Sequence, residues 1–447
     1  MVVWSTIADW LRRPTGQRAL LVMIALALRA LALIHGGAVI QPHGDEFYYL
    51  EQGSSLAQGL GFPGSFRPPL YPALIGASFL VFGTGLTALR WVQILISLVA
   101  VLAVFEVCRE RFGSRAAFLS GLACAISPGL VHFTHFLWSE TLFITLFLVF
   151  VWMMHRYDRG GGAALLVGAG LSLALAALTK EIVVFFAFLT LPWFLLRAPR
   201  AWRTGAVHAS IFLVCFLLPV LPWTVRNRAL HGAYVGISNC RWFPIAVGNL
   251  RVGDEAFGTT ERVEFLRQWR RMSDEVDKEA FSRREALRSI RAQQPAWILR
   301  KIHSTALKLF SPMTQEIRFL ELGLYPPRMG AASARALVVT SVAGHLLLLV
   351  PGLMALWLVR DDRLKWVVLL IVGYSLGVYS IANATARFLV PLLPLFYLYI
   401  GPLLTGAGAG ASRWRWVGAV TTAAVFVWIV TSQVSGALGP VWRSLGP

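Results

Sequence analysis

The sequence predicts an all-α membrane protein: a multispanning bundle of about eleven transmembrane helices, with interfacial helices in the first external loop and a small external domain. Of the 447 residues, 57% are hydrophobic and only 14% are charged. A chain of this composition has more apolar surface than a water-soluble globule can bury. Its long, nearly uncharged runs, such as 19–32 and 142–154, must satisfy their own backbone polar groups in lipid, which makes them helices.

The predicted elements fall into three blocks. Residues 1–224 form an N-terminal transmembrane module that contains the first external loop, 41–86; residues 225–335 form an extracytoplasmic loop or domain; residues 336–447 form C-terminal transmembrane helices. Basic residues before the first apolar run, without a small-residue cleavage site, predict a retained signal anchor. The predicted spans are 19–40, 87–108, 115–133, 137–155, 163–179, 182–196, 206–224, 336–359, 365–382, 388–404 and 416–433.

Basic residues set the predicted orientation. The chain has 41 Lys and Arg against 22 Asp and Glu, a net charge of +19, and its arginines sit at the ends of apolar spans. This placement favours anionic lipid head groups over nucleic acid as the partner. A cytoplasmic N-terminus makes every predicted inner loop basic, as in a multi-pass protein of a bacterial cytoplasmic membrane. The basic clusters of these loops lie in 109–115, 156–159, 197–203, 360–365 and 413–415.

Two regions outside the spans have their own pattern. Segments 46–60 and 69–84 are too short and too badly placed to cross, so they are predicted to be interfacial or re-entrant helices. In the external region, 259–293 reads as one amphipathic helix with a cap-like Thr-Thr-Glu-Arg start. The four cysteines are far apart and show neither a disulfide framework nor zinc spacing.

The same orientation gathers charged side chains at the outer face. They are Asp45, Glu46, Arg67, Glu140, Lys180, Glu181, Arg226 and Arg387. A carboxylate there can act as general base on an acceptor hydroxyl that attacks a sugar carbon. Guanidinium groups offer a planar fork to phosphate oxygens, so they suit a leaving lipid phosphate. Because charge is expensive next to apolar spans, this convergence points to function.

Five motifs carry a family resemblance. They are 44–49 (GDEFYY), 67–72 (RPPLYP), 177–181 (ALTKE), 222–227 (PWTVRN) and 386–394 (ARFLVPLLP). In this order they resemble the GT-C superfamily of polyprenyl-phosphate-dependent glycosyltransferases, and within it the protein mannosyltransferase and aminoarabinose transferase branch. The resemblance extends to about residue 400, although it is weak in 254–335 and in the final span.

The resemblance implies an inverting transfer of a hexose or pentose from a polyprenyl-phosphate donor to a lipid, glycan or protein hydroxyl. Asp45 matches the catalytic base. Arg67, Lys180 and Arg387 match positions near the donor phosphate, and Glu46, Tyr49, Glu140 and Glu181 are further candidate substrate-binding residues. No cofactor is expected, and a divalent metal stays open. His132 and His135, three residues apart without a third ligand, read as packing rather than as a metal site.

Each assignment has a plainer alternative. Asp45 can be an ordinary N-cap of a helix starting at Glu46. Arg67 and Arg387 can be interfacial anchors, and Lys180 with Glu181 a local ion pair. For the whole chain, the alternatives are a transporter or flippase of polyprenyl-linked lipids, and a polysaccharide polymerase or ligase. A transporter should carry its polar residues near the membrane midplane on broken helices, whereas this chain places them at one face.

Overall fold

The computed structural model describes residues 13–36, 40, 42–197, 202–250, 260–325, 329–407, 410–434 and 438–444. Within these residues every regular element is a helix, which confirms the all-α prediction. Of the predicted signal anchor, residues 1–12 lie outside the described residues. The apolar run that follows is helical from Pro14.

The N-terminal module contains eleven α-helices among its described residues. They are α1 (Pro14–Ile34), α2 (Asp45–Ala57), α3 (Leu70–Phe82), α4 (Leu86–Phe112), α5 (Ser114–Ile126), α6 (Pro128–His132), α7 (Glu140–Asp158), α8 (Ala164–Ala177), α9 (Val184–Leu189), α10 (Leu191–Arg197) and α11 (Trp202–His231). A 3₁₀-helix, Glu181–Val183, precedes α9.

The rest of the chain adds two groups of helices. Those of residues 225–335, the predicted external region, are α12 (Trp242–Asn249), α13 (Thr260–Arg271), α14 (Glu275–Ala292), α15 (Trp297–Leu309) and α16 (Gln315–Glu321). Those that follow are α17 (Ala331–Leu358), α18 (Arg363–Ile381), the 3₁₀-helix Ala386–Leu392, α19 (Leu393–Tyr397), α20 (Ile400–Pro402), a π-turn at Leu403–Ala407, α21 (Arg413–Gln433) and α22 (Gly439–Ser444).

Seven helices of the described chain are long and apolar enough to cross a membrane: α1, α4, α7, α11, α17, α18 and α21. A pair bent by 42°, Ala386–Tyr397 with Ile400–Ala407, is an eighth candidate. The predicted spans 115–133, 163–179 and 182–196 correspond instead to shorter apolar helices. The protein is therefore a multi-pass membrane protein, and the count of about eleven spans stays a prediction.

The spans pack in a chain of neighbours. α1 lies on α4 and α5, α4 on α7, α7 on α8, and α8 on α11, whereas α17 packs on α21. Helix α11 has 30 residues, about 45 Å at 1.5 Å per residue, which exceeds the ~30 Å of hydrocarbon. Its C-terminal turns, with Arg226 and Asn227, therefore reach beyond the apolar layer.

The two predicted interfacial segments are helices α2 and α3, which pack against each other. Each has 13 residues, about 20 Å, too short to span the bilayer. Their contact depends on two glycines: a Cβ on Gly53 would lie 2.4 Å from Cγ2 of Ile75, and a Cβ on Gly76 would lie 3.1 Å from the carbonyl oxygen of Gly53. The small residues let the backbones approach and fix the helix that carries Asp45.

The external region corrects one prediction. Segment 259–293 is two helices, α13 and α14, because Asp274 starts a new one by accepting hydrogen bonds from the backbone N–H groups of Val276 and Asp277. Such an N-cap contributes about 1 kcal/mol. Thr259, the start of the predicted cap-like sequence, lies outside the described residues. α14 packs on α12, and Phe265 and Phe281 stack in a small core of their own.

Candidate active site

Asp45 is the first residue of α2 and is not an N-cap. That position belongs to Gly44, whose φ of 60° and ψ of −118° lie in a region that side chains other than glycine rarely adopt. The carboxylate is hydrogen-bonded to two arginines, Arg67 and Arg387. The N-cap position that the capping alternative gives to Asp45 is occupied by Gly44.

Five charged side chains form one ion-pair network: Asp45, Arg67, Glu140, Lys180 and Arg387. Oδ1 of Asp45 lies 2.6 Å from Nη2 of Arg67, and Oδ2 lies 3.0 Å from Nη1 of Arg387. Glu140 accepts from Nζ of Lys180 at 2.9 Å and from Nη2 of Arg387 at 3.2 Å, and it also binds Nε of Arg387. Arg387 thus joins the two carboxylates, and the network carries three positive charges against two negative ones.

The network assembles where helices begin or end. Glu140 is the first residue of α7, and Lys180 lies between α8 and the 3₁₀-helix Glu181–Val183. Arg387 is in the 3₁₀-helix Ala386–Leu392, where Pro391 cannot donate to a regular α-helical ladder. Arg67 precedes α3, whose first N–H, that of Leu70, donates to the carbonyl of Leu178 at 3.0 Å. This last bond holds the Arg67 and Lys180 segments together.

Aromatic rings support the cations. Cζ of Arg387 lies 3.8 Å from the ring centroid of Trp138, and Nζ of Lys180 lies 5.5 Å from that of Phe388. Arg67 lies over Phe66 at 5.1 Å. The electron-rich ring faces stabilise these charges by about 0.5–2 kcal/mol each and restrict their rotamers.

Electrostatics distinguish Asp45 from its neighbour Glu46. Burial alone would raise the pKa of Asp45, but the charges of Arg67 and Arg387 outweigh it and lower the pKa to about 2. Part of the Asp45 side chain, 29%, is open to solvent, whereas Glu140 is fully buried. Asp45 is therefore ionised and reachable at neutral pH, as a general base must be.

Glu46 occupies a different environment. It is 1% exposed, and its two oxygens accept from the backbone N–H groups of Leu137 at 2.5 Å and His43 at 2.7 Å. Burial raises its pKa to about 7 in spite of these bonds. Glu46 thus connects the first external loop to the segment before α7, which carries Trp138 and leads into Glu140.

The remaining predicted residues lie outside the network. Tyr49 is buried, 3.5 Å from Oγ of Ser139 and edge-on to Tyr71. Glu181 accepts from the N–H of Ser238 at 3.2 Å and so supports the loop before α12. His135 binds the carbonyl oxygen of Arg29. Among the described residues, no three His, Cys, Asp or Glu side chains are arranged to hold a metal ion.

Comparisons with known proteins gave one family-model match and several similar solved structures. Residues 66–224 match the family model described as dolichyl-phosphate-mannose-protein mannosyltransferase. A comparison with curated protein sequences gave no significant match. Among solved structures, the oligosaccharyltransferase of Archaeoglobus fulgidus in complex with Zn and sulfate aligns with a TM-score of 0.52 at 13% identity, over 92% of this chain and 52% of that one. The fold of this chain is therefore similar to that of the archaeal oligosaccharyltransferase.

A second solved structure is also similar. ArnT from Cupriavidus metallidurans bound to undecaprenyl phosphate aligns at 16% identity with a TM-score of 0.44, over 88% of this chain and 79% of that one. The chain thus spans most of the length of ArnT and about half of the length of the archaeal enzyme. The family-model match contains Arg67, Glu140 and Lys180, whereas Asp45 and Arg387 lie outside it.

Sequence reasoning missed some residues of this candidate site. Trp138 contacts Arg387 through its ring, and Phe388 contacts Lys180. Their position in the sequence could have identified them, because Trp138 lies two residues before Glu140 and Phe388 directly follows Arg387. They were missed because aromatic residues were interpreted by default as part of an interfacial belt.

Proposed function

We propose that the chain transfers a monosaccharide from a polyprenyl-phosphate donor to a hydroxyl acceptor at the extracytoplasmic face of the membrane, with inversion at the anomeric carbon. The observation that carries this proposal is the bridged carboxylate: Asp45 is held between Arg67 and Arg387, beside a partly open surface. The family model, whose description names a dolichyl-phosphate sugar donor, supports the donor class.

Asp45 acts as the base in this mechanism. Its low pKa keeps it ionised, but a carboxylate that is paired with two arginines is a weak proton acceptor. A donor phosphate that binds Arg67 and Arg387 neutralises part of their charge, and the pKa of Asp45 then rises. Donor binding thus prepares the carboxylate to take the acceptor proton.

One displacement completes the reaction. The acceptor oxygen forms a bond to the anomeric carbon while the bond from that carbon to the phosphate oxygen breaks, and Asp45 takes the hydroxyl proton. The lipid phosphate leaves with the electron pair. Arg67, Lys180 and Arg387 already surround the place where its negative charge grows, and preorganised charge of this kind lowers the barrier without reorganisation.

Glu140 keeps that charge in place. Without Glu140, Lys180 would lose its hydrogen-bonded carboxylate partner beside Arg387, which would keep only Asp45, and a partly buried cation left in this way is unfavourable. The network retains one net positive charge after internal pairing, and a phosphate supplies the missing counter-charge. A lipid-linked donor reaches the site laterally, because spans α7 and Ala386–Tyr397 form two of its sides.

The test compares Asp45→Asn with Glu51→Gln, which removes an exposed carboxylate from the same helix. Membranes with matched expression receive polyprenyl phosphates that carry radiolabelled hexoses, pentoses or amino sugars. We expect Asp45→Asn to lower the transfer rate at least about a hundredfold, as loss of a general base does, and Glu51→Gln to leave it unchanged. Binding of the unmodified polyprenyl phosphate should persist in both variants.

Three results would count against the proposal. Equal transfer by wild type and Asp45→Asn removes Asp45 from the chemistry. Absence of transfer from every donor, together with export or import of the lipid by reconstituted vesicles, supports the flippase alternative. Retention of configuration in the product excludes a single displacement.

A further inference from the structure

A second polar cleft lies beside the ion-pair network. It is lined by α6, α16, α17, α19 and the 3₁₀-helix Ala386–Leu392. Its polar lining includes Thr314, Glu316, Ser341 and His345. None of these residues belongs to the network, and none was singled out by the sequence.

Within the part of the chain that the structure describes, three of these side chains have buried oxygens without a hydrogen-bond partner. Both carboxylate oxygens of Glu316 are buried without a hydrogen bond to any residue that the structure describes, and the residue is only 1% exposed. The same holds for Oγ of Ser341, which is 2% exposed, and for Oγ1 of Thr314. Unpaired buried polar atoms are rare in folded proteins, so a cluster of them at one cleft calls for a ligand.

The chemistry of the lining defines that ligand. A carboxylate only accepts hydrogen bonds when ionised, and a hydroxyl both donates and accepts. The matching group presents several O–H or N–H donors close together, as the hydroxyls of a sugar ring do. A phosphate does not fit this lining, which contains a carboxyl group and no Lys or Arg.

The cleft is connected to the network by two elements. Ala386, Leu389 and Val390 line it from the same 3₁₀-helix that carries Arg387. On the other side, Phe319 of α16, one turn after Glu316, contacts Trp138 edge-on at 5.3 Å, and Trp138 stacks on Arg387. A phosphate on Arg387 and a sugar in the cleft are thus held by neighbouring parts of one structure.

We propose that this cleft binds the hydroxyl groups of the donor sugar and that Glu316, with Ser341 and Thr314, determines which sugar is accepted. The inference rests on the proposed function, because it assigns the sugar of the same polyprenyl-phosphate donor. A lipid-linked sugar is favoured over a water-borne acceptor because α17 and α19, which line the cleft, belong to membrane-spanning segments.

The test measures binding and needs no acceptor. The affinity of purified protein for undecaprenyl phosphate is compared with its affinity for undecaprenyl phosphate carrying glucose, mannose, N-acetylglucosamine, arabinose or an amino sugar. In wild type, one or more sugars should increase affinity over the bare lipid. Glu316→Gln should remove this increase, a loss on the order of tenfold for hydrogen bonds to a charged group, and leave bare-lipid binding intact.

Two further variants complete the design. Glu321→Gln removes an exposed carboxylate from the same helix and should behave as wild type. Ser341→Val fills the cleft and should also abolish the sugar-dependent increase, with bare-lipid binding as the check that it is folded. The transfer assay should show a changed donor preference, seen as a higher KM for the preferred donor sugar.

The outcomes separate the two proposals. The inference is overturned if Glu316→Gln keeps the full sugar-dependent increase, or if no sugar increases affinity in a wild type that binds the bare lipid. A wild type that binds no polyprenyl phosphate at all contradicts the proposed function, and this inference with it. Loss of bare-lipid binding in Glu316→Gln but not in Glu321→Gln would assign Glu316 to folding and also overturn the inference.

Discussion

Two adjacent carboxylates in the first external loop have opposite electrostatic environments. Asp45 is paired with arginines, and its pKa falls to about 2. Glu46 is buried and accepts hydrogen bonds from backbone N–H groups, and burial raises its pKa to about 7. A pair of titratable groups whose pKa values are driven apart often divides two roles. Here the geometry favours chemistry for Asp45 and loop support for Glu46.

The raised pKa of Glu46 predicts a pH-dependent stability. Because the carboxyl has a pKa near 7 when folded and 4.5 ordinarily, its favourable contribution is complete below about pH 4.5 and is lost as pH rises to about 7. The shift corresponds to about 3 kcal/mol. Glu46→Gln should therefore flatten the decline of unfolding temperature between pH 5 and 7, measured in detergent by thermal denaturation.

Glu51→Gln serves as the control, because Glu51 is exposed on the same helix. Its pH profile should follow that of wild type. A Glu46→Gln profile that parallels wild type throughout would mean that Glu46 titrates normally in the folded protein.

A second prediction concerns the backbone conformation of Gly44. Its φ of 60° directs the chain into α2, and no atom lies within 4 Å of the place where a Cβ would be. Gly44→Ala therefore costs backbone strain alone, about 1–3 kcal/mol, with no steric clash. We expect a loss of transfer activity of roughly tenfold or more, because each 1.4 kcal/mol at the reacting carboxylate corresponds to a factor of ten.

Gly83→Ala is the matched control for Gly44→Ala. Gly83 also has a positive φ, 76°, and open space around it, but it ends α3 far along the chain from Asp45. The two variants should lose similar unfolding temperature, and only Gly44→Ala should lose transfer. Equal activity losses would show that the effect is general destabilisation.

At the residue scale, the sequence predicted the members of the network that stand out by their charge. Asp45, Arg67, Glu140, Lys180 and Arg387 stand out because they interrupt apolar segments, and the structure places all five in one network. Their roles stay predictions. Glu316 could not be found this way, because it lies in an ordinary polar segment and only the fold buries it.

At the element scale, the external helices hold the first external loop. Oε2 of Glu275, the first residue of α14, accepts from N and Oγ of Ser65 at 2.9 and 3.1 Å, and Oγ of Ser65 also contacts His231 at 2.6 Å. Arg226 of α11 donates to the carbonyls of Gly64 and Phe62. These contacts fix the backbone two residues before Arg67.

Glu275→Gln should therefore weaken donor binding, although Glu275 is not part of the ion-pair network. The amide keeps one acceptor oxygen but loses the charge that strengthens both bonds to Ser65, a loss of about 1 kcal/mol or more. We expect a higher KM for the donor, measured from initial transfer rates, because Arg67 becomes less well positioned. Asp277→Asn makes the same charge change in the same helical turn, at an exposed position.

Asp277→Asn should leave KM unchanged, which separates the loop contact from the effect of the helix dipole. If both variants raise KM alike, the dipole or net charge is responsible, and the contact with Ser65 is not.

Elements were predicted best where an apolar run is long and continuous. The segments 87–108 and 336–359 correspond to α4 and α17, which are single long helices. Prediction was poorer where a break depends on local contacts. The helix predicted over 259–293 ends at Arg271 because Asp274 caps a second helix, and 182–196 divides into a 3₁₀-turn and two short helices. Hydropathy averages over such breaks and does not detect them.

At the scale of the whole molecule, the loops predicted to be cytoplasmic meet one another. Arg111 pairs with Asp362 at 2.9 Å, Arg363 with Asp158 at 3.3 Å, and Arg415 with Asp361. These pairs connect the predicted inner loops 109–115, 156–159, 360–365 and 413–415. Exposed pairs of this kind add little stability, but they show that four predicted inner loops lie on one side of the bundle.

The opposite side carries the network and the external helices, and this asymmetry makes the orientation testable. Three exposed arginines can each be replaced by a single cysteine: Arg159 and Arg413 lie in predicted inner loops, and Arg267 lies on α13. In intact cells a membrane-impermeant maleimide should label Arg267→Cys at once, and label Arg159→Cys and Arg413→Cys only after permeabilisation. The unmodified chain measures background, since three of its four cysteines are buried.

The contacts between the external region and the first loop make this labelling informative about the reaction. Because Glu275 binds Ser65, two residues from Arg67, α14 and the ion-pair network must face the same compartment. Labelling at Arg267 from outside thus places Asp45 where nucleotide sugars are absent and a lipid-linked donor is needed. Labelling of Arg159→Cys in intact cells would instead indicate that the network faces the cytoplasm. That result would contradict the positive-inside assignment and remove the main reason for a lipid-linked donor.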